Sequence, residues 1–321
     1  MTGYAVKRLL LLVPVLFGVT LVVFGIMSLV PGDPALAILG PYATPERLAD
    51  LRADLGLDRP WPLRYLLWLG NLLQGDLGRS VSLERPVLDA VLGRIGPTLL
   101  LADAALLLGT LLGLAAGLVA ALRHNRFTDR MVTLVVLLGI SLPSFWLGLL
   151  LILLFAVWLG WLPASGMTTV WLNDPGTGLL LVDVSRHLLL PTLSLALVAA
   201  GVIGRMARGA AIDLFAADHI RLCRARGITE SRILLVHGLK GVLARTMPVI
   251  GLQAGFLIGG AVYIETIFQW PGLGRMLVDA IAARDLLLVQ GGVLLLASAY
   301  VMVNLAADLL QHGLDRRTGA A

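Results

Sequence analysis

Eight Lys and Arg residues lie between positions 205 and 245 of this chain, and three of them lie just before a single glycine, Gly227. These three are Arg221, Arg224 and Arg226. Guanidinium groups donate paired hydrogen bonds to carboxylates and phosphates, so that the stretch can bind an acidic surface. The residues alone leave two such surfaces open. One is an acidic partner protein, and the other is the anionic head groups of lipids, which would hold an ordinary basic loop.

The residue types that carry catalysis form no recognisable motif in the sequence. The only lysines are Lys7 and Lys240, which Arg8 and Gly241 follow, so that no G-x-x-x-x-G-K-[S/T] phosphate loop exists. The five histidines are scattered, neither H-E-x-x-H nor G-x-S-x-G occurs, and Cys223 is the single cysteine. We therefore predict a protein that is not an enzyme, with no catalytic residues, no metal site and no cofactor of its own.

Membrane helices must position the basic stretch. Of the 321 residues, 58% are hydrophobic and 14% are charged, and the mean hydropathy is +0.89. A soluble domain of this length does not need so much apolar surface. Six segments are long and apolar enough to cross about 30 Å of hydrocarbon. The predicted fold class is all-α, a polytopic membrane protein with six transmembrane helices at roughly 9–30, 97–122, 131–160, 187–207, 248–268 and 286–310.

The distribution of Lys and Arg predicts the orientation of these spans. With a cytoplasmic N-terminus, fifteen Lys and Arg residues fall on the inner side and three fall in the two short outer loops. Cytoplasmic loops carry the excess of basic residues, so that both termini are predicted to be cytoplasmic. The net charge of +5 then marks the inner membrane surface and does not indicate binding of nucleic acid.

The basic stretch reads as two short helices joined by a glycine turn. Gly227 stands where the residue after a helix C-cap would stand, and Ile228 follows it as the hydrophobic contact. Thr229 can cap the second helix. In the first helix, Ile220, Cys223 and Arg224 share one face, and another face is formed by Asp218, Arg221 and Ala225. This pattern predicts a rigid projection on the cytoplasmic side.

The outer segment 31–96 also predicts helices. Thr44 is a plausible N-cap before Pro45, and Gly56 is a stop signal for the helix that follows. Amphipathic stretches at 61–73 and 85–95 predict two further helices, lying on the outer surface.

Two acids in the predicted spans are candidates for a translocation path, because charged groups in a membrane are costly. Asp103 either faces that path or is an acid near a helix start, which the helix macrodipole favours. Glu265 either forms an outer gate, alone or paired with an arginine of another loop, or makes a structural hydrogen bond to the following turn.

Polar and small residues in three other spans are further candidates. Ser141 and Pro143 predict a bend in the third span that either lines the path or serves packing. Asn304 lies in the sixth span, on the same face as Asp308. A separate set of small residues predicts a helix contact surface in the second span: Gly109, Gly113 and Gly117.

Ordered motifs along nearly the whole chain resemble those of one transporter family. They are Arg-Leu-Leu-Leu-Leu-Val-Pro at 8–14, Pro-Gly-Asp-Pro-Ala at 31–35, Gly-Asp-Leu-Gly-Arg-Ser at 75–80, Pro-Ser-Phe-Trp-Leu-Gly at 143–148, Trp-Leu-Pro-Ala-Ser-Gly at 161–166 and Glu-Thr-Ile-Phe-Gln-Trp-Pro-Gly-Leu-Gly at 265–274. With the basic stretch in the position of the EAA loop, the chain resembles the permeases of binding-protein-dependent ABC importers. The more specific resemblance is to the dipeptide, oligopeptide and nickel transport family.

The resemblance implies that the loop after the fourth span docks in a cleft of a separate ATPase subunit. By motif match, the docking residues are Asp218, Ile220, Arg221, Arg224, Ala225, Arg226 and Gly227. The sequence departs from the family pattern at His219, where an aromatic residue is common, and at Leu222 and Cys223, where the family often has Thr-Ala. These departures bear on the choice of ATPase partner.

The resemblance also implies an assembly and a location. The partners would be a second permease subunit forming a heterodimer, two ATP-binding subunits that hold ATP and Mg, an extracytoplasmic solute-binding protein and membrane lipid, with no nucleic acid. The chain would be a multi-pass protein of the bacterial inner membrane that moves di- or oligopeptides by alternating access.

The predicted domain organisation follows from the spans and the resemblance. It comprises a first transmembrane helix at 1–30, an extracytoplasmic helical segment at 31–96, a permease domain at 97–310 with a coupling loop at 208–247, and a cytoplasmic tail at 311–321. A nickel or metal-chelate importer of the same family is the alternative substrate class. A secondary transporter or channel that needs no ATPase is the alternative from another class, and a membrane scaffold without a solute path is a third.

Overall fold

A computed structural model of the chain describes residues 2–29, 34–40, 43–54, 56–169 and 177–314. Two sequence features lie outside the described residues: most of the motif at 31–35 and the end of the tail from 315. Helices account for nearly all the secondary structure of the described part. They are α1 (Thr2–Leu29), α2 (Pro34–Leu39), α3 (Pro45–Asp54), α4 (Trp61–Leu73), α5 (Val87–Leu122), α6 (Phe127–Ser141), α7 (Ser144–Leu151), α8 (Thr177–Ala216), α9 (Asp218–Ala225), α10 (Glu230–Arg232), α11 (Leu239–Ile267), α12 (Leu273–Ala282) and α13 (Leu286–Leu314), with π-helical segments at Ile152–Trp158 and Ile233–Gly238.

The all-α membrane fold is confirmed. In the described residues, five helices are long and apolar enough to span a membrane, and there is a sixth span if the bent pair, α6 with α7 and its π-helical extension, crosses as one. The two arms of this pair meet at 103° across Leu142 and Pro143. The bend that Ser141 and Pro143 predict is therefore present, because proline disfavours the helical conformation of the residue before it.

Several spans begin earlier than the sequence predicts. The stretch 85–95 is not a separate surface helix, because α5 runs without a break from Val87 to Leu122 with Pro97 inside it. In the same way α11 begins at Leu239 and contains Pro248. A proline removes one backbone donor but has a φ that suits a helix, so that each helix continues through it.

The chain divides into two compact units, and the first comprises residues 1–97 and 272–301. Within it, α1 packs against α4 through aromatic side chains. The Phe24 ring makes an edge contact with Tyr65, their centroids 5.4 Å apart, and the Tyr65 hydroxyl lies 2.9 Å from the Thr20 hydroxyl. The predicted helices at Pro45 and Trp61 are both present, and the Arg47 N–H donates to the Thr44 hydroxyl.

A buried carboxylate ties a short turn of this unit to the start of α13. The Asp285 Oδ2 accepts hydrogen bonds from the Ser80 hydroxyl at 2.6 Å and from both the N–H and the hydroxyl of Ser82, at 2.9 and 2.8 Å. The other oxygen, Oδ1, caps α13 by accepting the Leu288 N–H at 3.1 Å. Burial raises the pKa of the Asp285 carboxyl, but these hydrogen bonds outweigh burial and lower its pKa below the ordinary value.

We expect Asp285→Ala to destabilise the protein by about 2 kcal/mol, because it leaves buried donors without an acceptor. The lowered pKa means that the ionised carboxylate stabilises the folded state above its ordinary pKa of 3.8, and that this stabilisation is lost as the pH falls below 3.8 towards the folded-state value. Thermal unfolding of the purified protein from pH 7 to pH 3 measures both effects. Asp285→Asn should lose this pH dependence, whereas the exposed Asp58→Asn should keep it.

The second unit comprises residues 98–271 and 302–321, and α8 lies at its centre. Helices α6, α7 and α11 all pack against α8. The loop after the bent pair reaches the end of α11, where the Gly166 N–H donates to the Phe268 carbonyl at 2.8 Å.

The predicted glycine surface of the second span is a contact with α8. A Cβ added at Gly109 would lie 2.9 Å from the Ala196 carbonyl oxygen, and one added at Gly117 would lie 2.6 Å from the Gly204 carbonyl oxygen. Real Cβ atoms do not approach backbone oxygens so closely. The glycines therefore let the two backbones touch, as small residues do in other membrane helix pairs.

Candidate functional site

The glycine turn of the basic stretch has the predicted geometry. Gly227 has a φ of +78°, a left-handed conformation that L side chains rarely adopt. Its N–H donates to the Arg224 carbonyl at 2.9 Å, and the Ile228 N–H donates to the Cys223 carbonyl at 3.2 Å. These two bonds form a Schellman motif, which satisfies the last carbonyls of α9 and stops the helix. Thr229 then stands at the N-cap of α10.

One side of α9 and its turn is exposed, and we call it the basic face. Its exposed members are Asp218, Arg221, Leu222, Ala225, Arg226 and Gly227. The Arg221 guanidinium lies 3.4 Å from the Asp218 carboxylate, but both side chains remain largely exposed and can bind elsewhere. Leu222 is 52% exposed at the centre of the face and supplies an apolar contact. The sequence treats Leu222 only as a departure from the family pattern, so that this part of the face was missed.

The opposite side of α9 is turned inward. Ile220, which the sequence places among the docking residues, is fully buried. Its side chain can therefore support the face from beneath but cannot contact a partner. Helix α9 packs against α8 and the π-helical segment Ile233–Gly238, in which Ile233 is also fully buried. The face therefore rests on a hydrophobic base.

Arg224 forms an ion pair across the glycine turn. Its Nε donates to Glu230 Oε1 at 2.6 Å and its second nitrogen donates to Oε2 at 3.2 Å. The hydrogen bond from Arg224 lowers the pKa of the Glu230 carboxyl, and the Glu230 carboxylate raises the pKa of Arg224. The sequence does not predict this pair, although an acid in the first turn after the stop is a usable signal. Arg224 thus links α9 to α10.

The second helix of the projection is not a separate short helix. From Glu230 the chain continues as α10, the π-helical segment and α11 without a break. Glycines in this stretch allow close packing and do not end the helix: a Cβ at Gly238 would lie 3.0 Å from the Phe215 ring, and one at Gly241 would lie 2.8 Å from Leu214. The fifth span is therefore one continuous body with the base of the turn.

A second ion pair of this unit joins the start of α6, just after the basic loop at 123–126, to α8. The buried Asp129 carboxylate accepts two hydrogen bonds from Arg208 of α8, from Nε at 2.7 Å and from a terminal nitrogen at 2.8 Å. The Asn125 N–H donates to the same carboxylate at 2.9 Å. The sequence does not predict this pair, because the two residues are 79 positions apart.

The two acidic candidates for a translocation path occupy different environments. Asp103 is exposed and lies sixteen residues into α5, so that the interpretation as an acid near a helix start is wrong: the helix begins at Val87. Glu265 is fully buried and accepts a hydrogen bond from the Thr98 hydroxyl at 2.6 Å. The Glu265 backbone carbonyl accepts the Trp270 N–H at 2.8 Å. These bonds agree with a structural role for Glu265, and its role as a gate stays a prediction.

The polar candidates do not form one cluster in the described contacts. Ser141 is exposed, and its hydroxyl donates to the Leu137 carbonyl at 2.9 Å within α6. Pro143 is exposed at the bend. Asn304 is half-buried in α13. Their assignment to a translocation path stays a prediction.

Comparison with known families gives two matches that together cover almost the whole chain. The family model described as "Binding-protein-dependent transport system inner membrane component" matches residues 113–320. The model described as "Binding-prot-dependent transport system membrane comp, N-term" matches residues 1–102.

Full-length relatives agree with these matches. The chain is 38% identical to the dipeptide transport system permease protein DppB of Alkalihalophilus pseudofirmus, over 99% of both chains. It is 39% identical to the glutathione transport system permease protein GsiC of Escherichia coli, over 98% of both chains. It is 41% identical to the di/tripeptide transport system permease protein DppB of Pseudomonas aeruginosa, over 97% of this chain and 96% of the relative.

Solved structures show a similar fold. Two crystal forms of the MetNI methionine ABC transporter in inward-facing conformations contain a chain that superposes with TM-scores of 0.54 and 0.57 at 18% identity. The superpositions cover 70% and 71% of this chain and 96% and 97% of the solved chain.

Proposed function

The chain belongs to the binding-protein-dependent transport system inner membrane components, and on that premise we propose that it is the peptide-translocating subunit of an ATP-driven importer. The family makes it a multi-pass permease subunit of the inner membrane and not an enzyme. The family also implies ATPase and solute-binding partners. What we propose in addition is the substrate, the composition of the complex and the residues that couple it.

Peptides of two or three residues are the proposed substrates. The relatives that match over their full length carry the names of dipeptide, di/tripeptide and glutathione transporters, and glutathione is itself a tripeptide. A nickel or metal-chelate importer is the alternative. In the described residues, no group of three or more His, Cys, Asp or Glu side chains could hold a metal ion. Peptides are therefore the substrate class that the relatives favour.

The basic face is the proposed contact with the ATPase, and it is the observation that carries the coupling mechanism. It offers the guanidinium groups of Arg221 and Arg226 around an exposed Leu222 on a helix that ends in a fixed turn. A central apolar residue with a cationic rim suits a cleft that is apolar at its floor and acidic at its edge. ATP and Mg would bind in the partner subunits, of which we propose two.

A mechanical link from this face to the membrane follows from the contacts of α9. The Arg224–Glu230 pair joins α9 to α10 across the glycine turn, and α10 continues through the π-helical segment into α11. The basic face and the fifth span therefore move together as one body, so that a force on the face also acts on the span. We propose that ATP-driven closure of the ATPase pair displaces this body and so alternates access, with a second permease subunit completing a heterodimer.

Transport by the reconstituted complex tests this function. The chain, with its co-expressed partner subunits and solute-binding protein, is placed in proteoliposomes, and uptake of a labelled dipeptide is measured with and without ATP. We expect uptake that requires ATP and that glutathione or tripeptides inhibit. Uptake driven by a proton or sodium gradient without ATP would support a secondary transporter instead. Uptake of nickel alone would correct the substrate.

A matched pair of variants tests the coupling residues in the same assay. Arg221→Glu reverses a charge on the basic face and should abolish ATP-dependent uptake. Arg47→Glu reverses the charge of an exposed arginine in α3 and should leave the ATPase bound. Equal retention of the ATPase by both variants would contradict the assignment of the basic face.

A further inference from the structure

A cavity of about 370 Å³ lies within the first unit, formed by α1, α4, the end of α3, the start of α13 and the loops around them. Its wall carries three cationic side chains, Arg59, Arg64 and Arg284. Apolar surface from Leu67 and Trp68 lines it as well. The cavity thus combines positive charge with a hydrophobic wall, and neither the family match nor the proposed function assigns it a ligand.

The charge of the three arginines is not neutralised by ion pairs. In the part of the chain that the structure describes, none of them lies within salt-bridge distance of a carboxylate. The two acids of the wall are engaged elsewhere: Asp76 accepts the Gly78 N–H at 2.8 Å, and Asp285 accepts its serine donors. The guanidinium groups therefore remain available to an anion.

A buried amide points into the same cavity. Gln290 lines it, and its side chain is only 5% exposed. In the described residues, the buried side-chain polar atoms without a partner are the hydroxyls of Thr110 and Thr192, so that the Gln290 amide reaches the open space of the cavity. A ligand that carries a hydrogen-bonding oxygen would supply the amide with a partner. This observation is independent of the arginines.

The surroundings of the cavity are those of a membrane boundary. Phe24 of its wall lies near the end of the first span, where Trp61 and Trp68 contact its ring at 5.7 and 5.6 Å between centroids. Aromatic side chains of this kind gather at the interface between lipid and water. Helix α4 also exposes apolar side chains, as an interfacial helix does. These are Leu63, Leu66, Leu67 and Leu73.

We propose that this cavity binds the phosphodiester group of an anionic phospholipid. The guanidinium groups of Arg59, Arg64 and Arg284 hold the phosphate oxygens, because their planar donors match phosphate geometry. The Gln290 amide donates to a phosphate or ester oxygen. The glycerol backbone and the start of an acyl chain cover Leu67 and Trp68. An acidic side chain of a partner protein would satisfy the arginines but would leave the exposed leucines of α4 uncovered.

Lipid binding to the full chain, purified in detergent with its co-expressed subunits and stripped of lipid, tests the proposal. Native mass spectrometry and thermal unfolding are followed as dioleoyl phosphatidylglycerol is added. Parallel titrations use inorganic phosphate and dioleoylglycerol. We expect only the phospholipid to bind and to raise the unfolding temperature. An equal effect of inorganic phosphate would assign the cavity to a free anion, and an equal effect of dioleoylglycerol would remove the role of the phosphate; either result would overturn the proposal.

Three variants locate the site. Arg64→Gln and Gln290→Leu should each weaken phospholipid binding about tenfold, because each removes a hydrogen bond to the phosphate or ester. Arg47→Gln removes a charge of the same outer segment away from the cavity wall and should have no effect. Without lipid, Gln290→Leu should unfold at about the same temperature as the parent, since the amide faces the open space of the cavity.

The readout of these variants is lipid affinity, so that the result does not depend on the transported substrate. Unchanged phospholipid affinity in both cavity variants would overturn the proposal. So would a variant that keeps its lipid affinity but no longer binds the solute-binding protein, because the cavity would then be a protein contact.

Discussion

Gly227→Pro is expected to abolish ATP-dependent uptake while the protein still inserts into the membrane. Proline fixes φ near −65°, whereas the turn requires +78° at this position, and it removes the N–H that donates to the Arg224 carbonyl. The end of α9 would then have to rearrange, and Arg226 would leave the basic face. Uptake into proteoliposomes and co-purification of the ATPase subunits measure the loss.

Gly75→Pro is the matched control, because the two glycines share their local geometry. Gly75 has a φ of +82°, and its N–H donates to the Leu72 carbonyl at 3.0 Å. Nothing lies within 4 Å of a Cβ added at Gly75 or at Gly227. The backbone penalty is therefore similar at the two positions. We expect the Gly75 variant to retain the ATPase. Loss of the ATPase from both variants would show that general misfolding, and not the basic face, is the cause.

Gly117→Ala is expected to destabilise the protein by about 3 kcal/mol, although it adds a single methyl group. The new Cβ would lie 2.6 Å from the Gly204 carbonyl oxygen and 2.7 Å from the Ala207 Cβ. Since the first of these contacts is with backbone, no side-chain rotation can relieve it, and α5 must move away from α8. Thermal unfolding in detergent and the yield of monodisperse protein measure the effect.

Gly93→Ala in the same helix provides the comparison. Nothing lies within 4 Å of the position that its Cβ would occupy, so that the methyl group meets no obstacle. Alanine favours a helix over glycine by about 0.5–1 kcal/mol, and this variant should therefore be as stable as the parent or slightly more stable. Equal destabilisation by both substitutions would refute the close approach of α5 and α8.

Local chemistry explains why parts of the site could be predicted from the sequence. The turn after α9 depends on Gly227 tolerating a positive φ and on Thr229 following it, and both signals lie within a few residues. The bend at Pro143 is likewise a local effect of proline on its predecessor. The burial of Ile220 does not follow from its spacing, because Ile220, Cys223 and Arg224 share a face and only contact with α8 and the π-helical segment decides which of them is covered.

Tertiary contacts explain what the sequence could not predict. The sequence predicts that the fourth span begins near His187, because polar residues lie there. Helix α8 nevertheless begins at Thr177. The polar groups are satisfied by backbone carbonyls: Arg186 donates to that of Trp161 at 3.1 Å, and His187 Nδ1 lies 2.9 Å from that of Asp183. The sequence does not predict the partner of Arg208 either, because only the folded chain brings Asp129 beside it.

The ion pair between Asp129 and Arg208 also bears on the path of the bent pair. Two side chains 2.7 Å apart lie in the same leaflet. Helix α8 is long and apolar enough to cross once between Thr177 and Arg208, and we then expect the segment between Asp129 and Thr177 to cross once as well. The hydrogen bond of Gly166 to Phe268, at the far end of α11, fits the same path. We therefore expect the bent pair to be a full crossing and not a re-entrant hairpin.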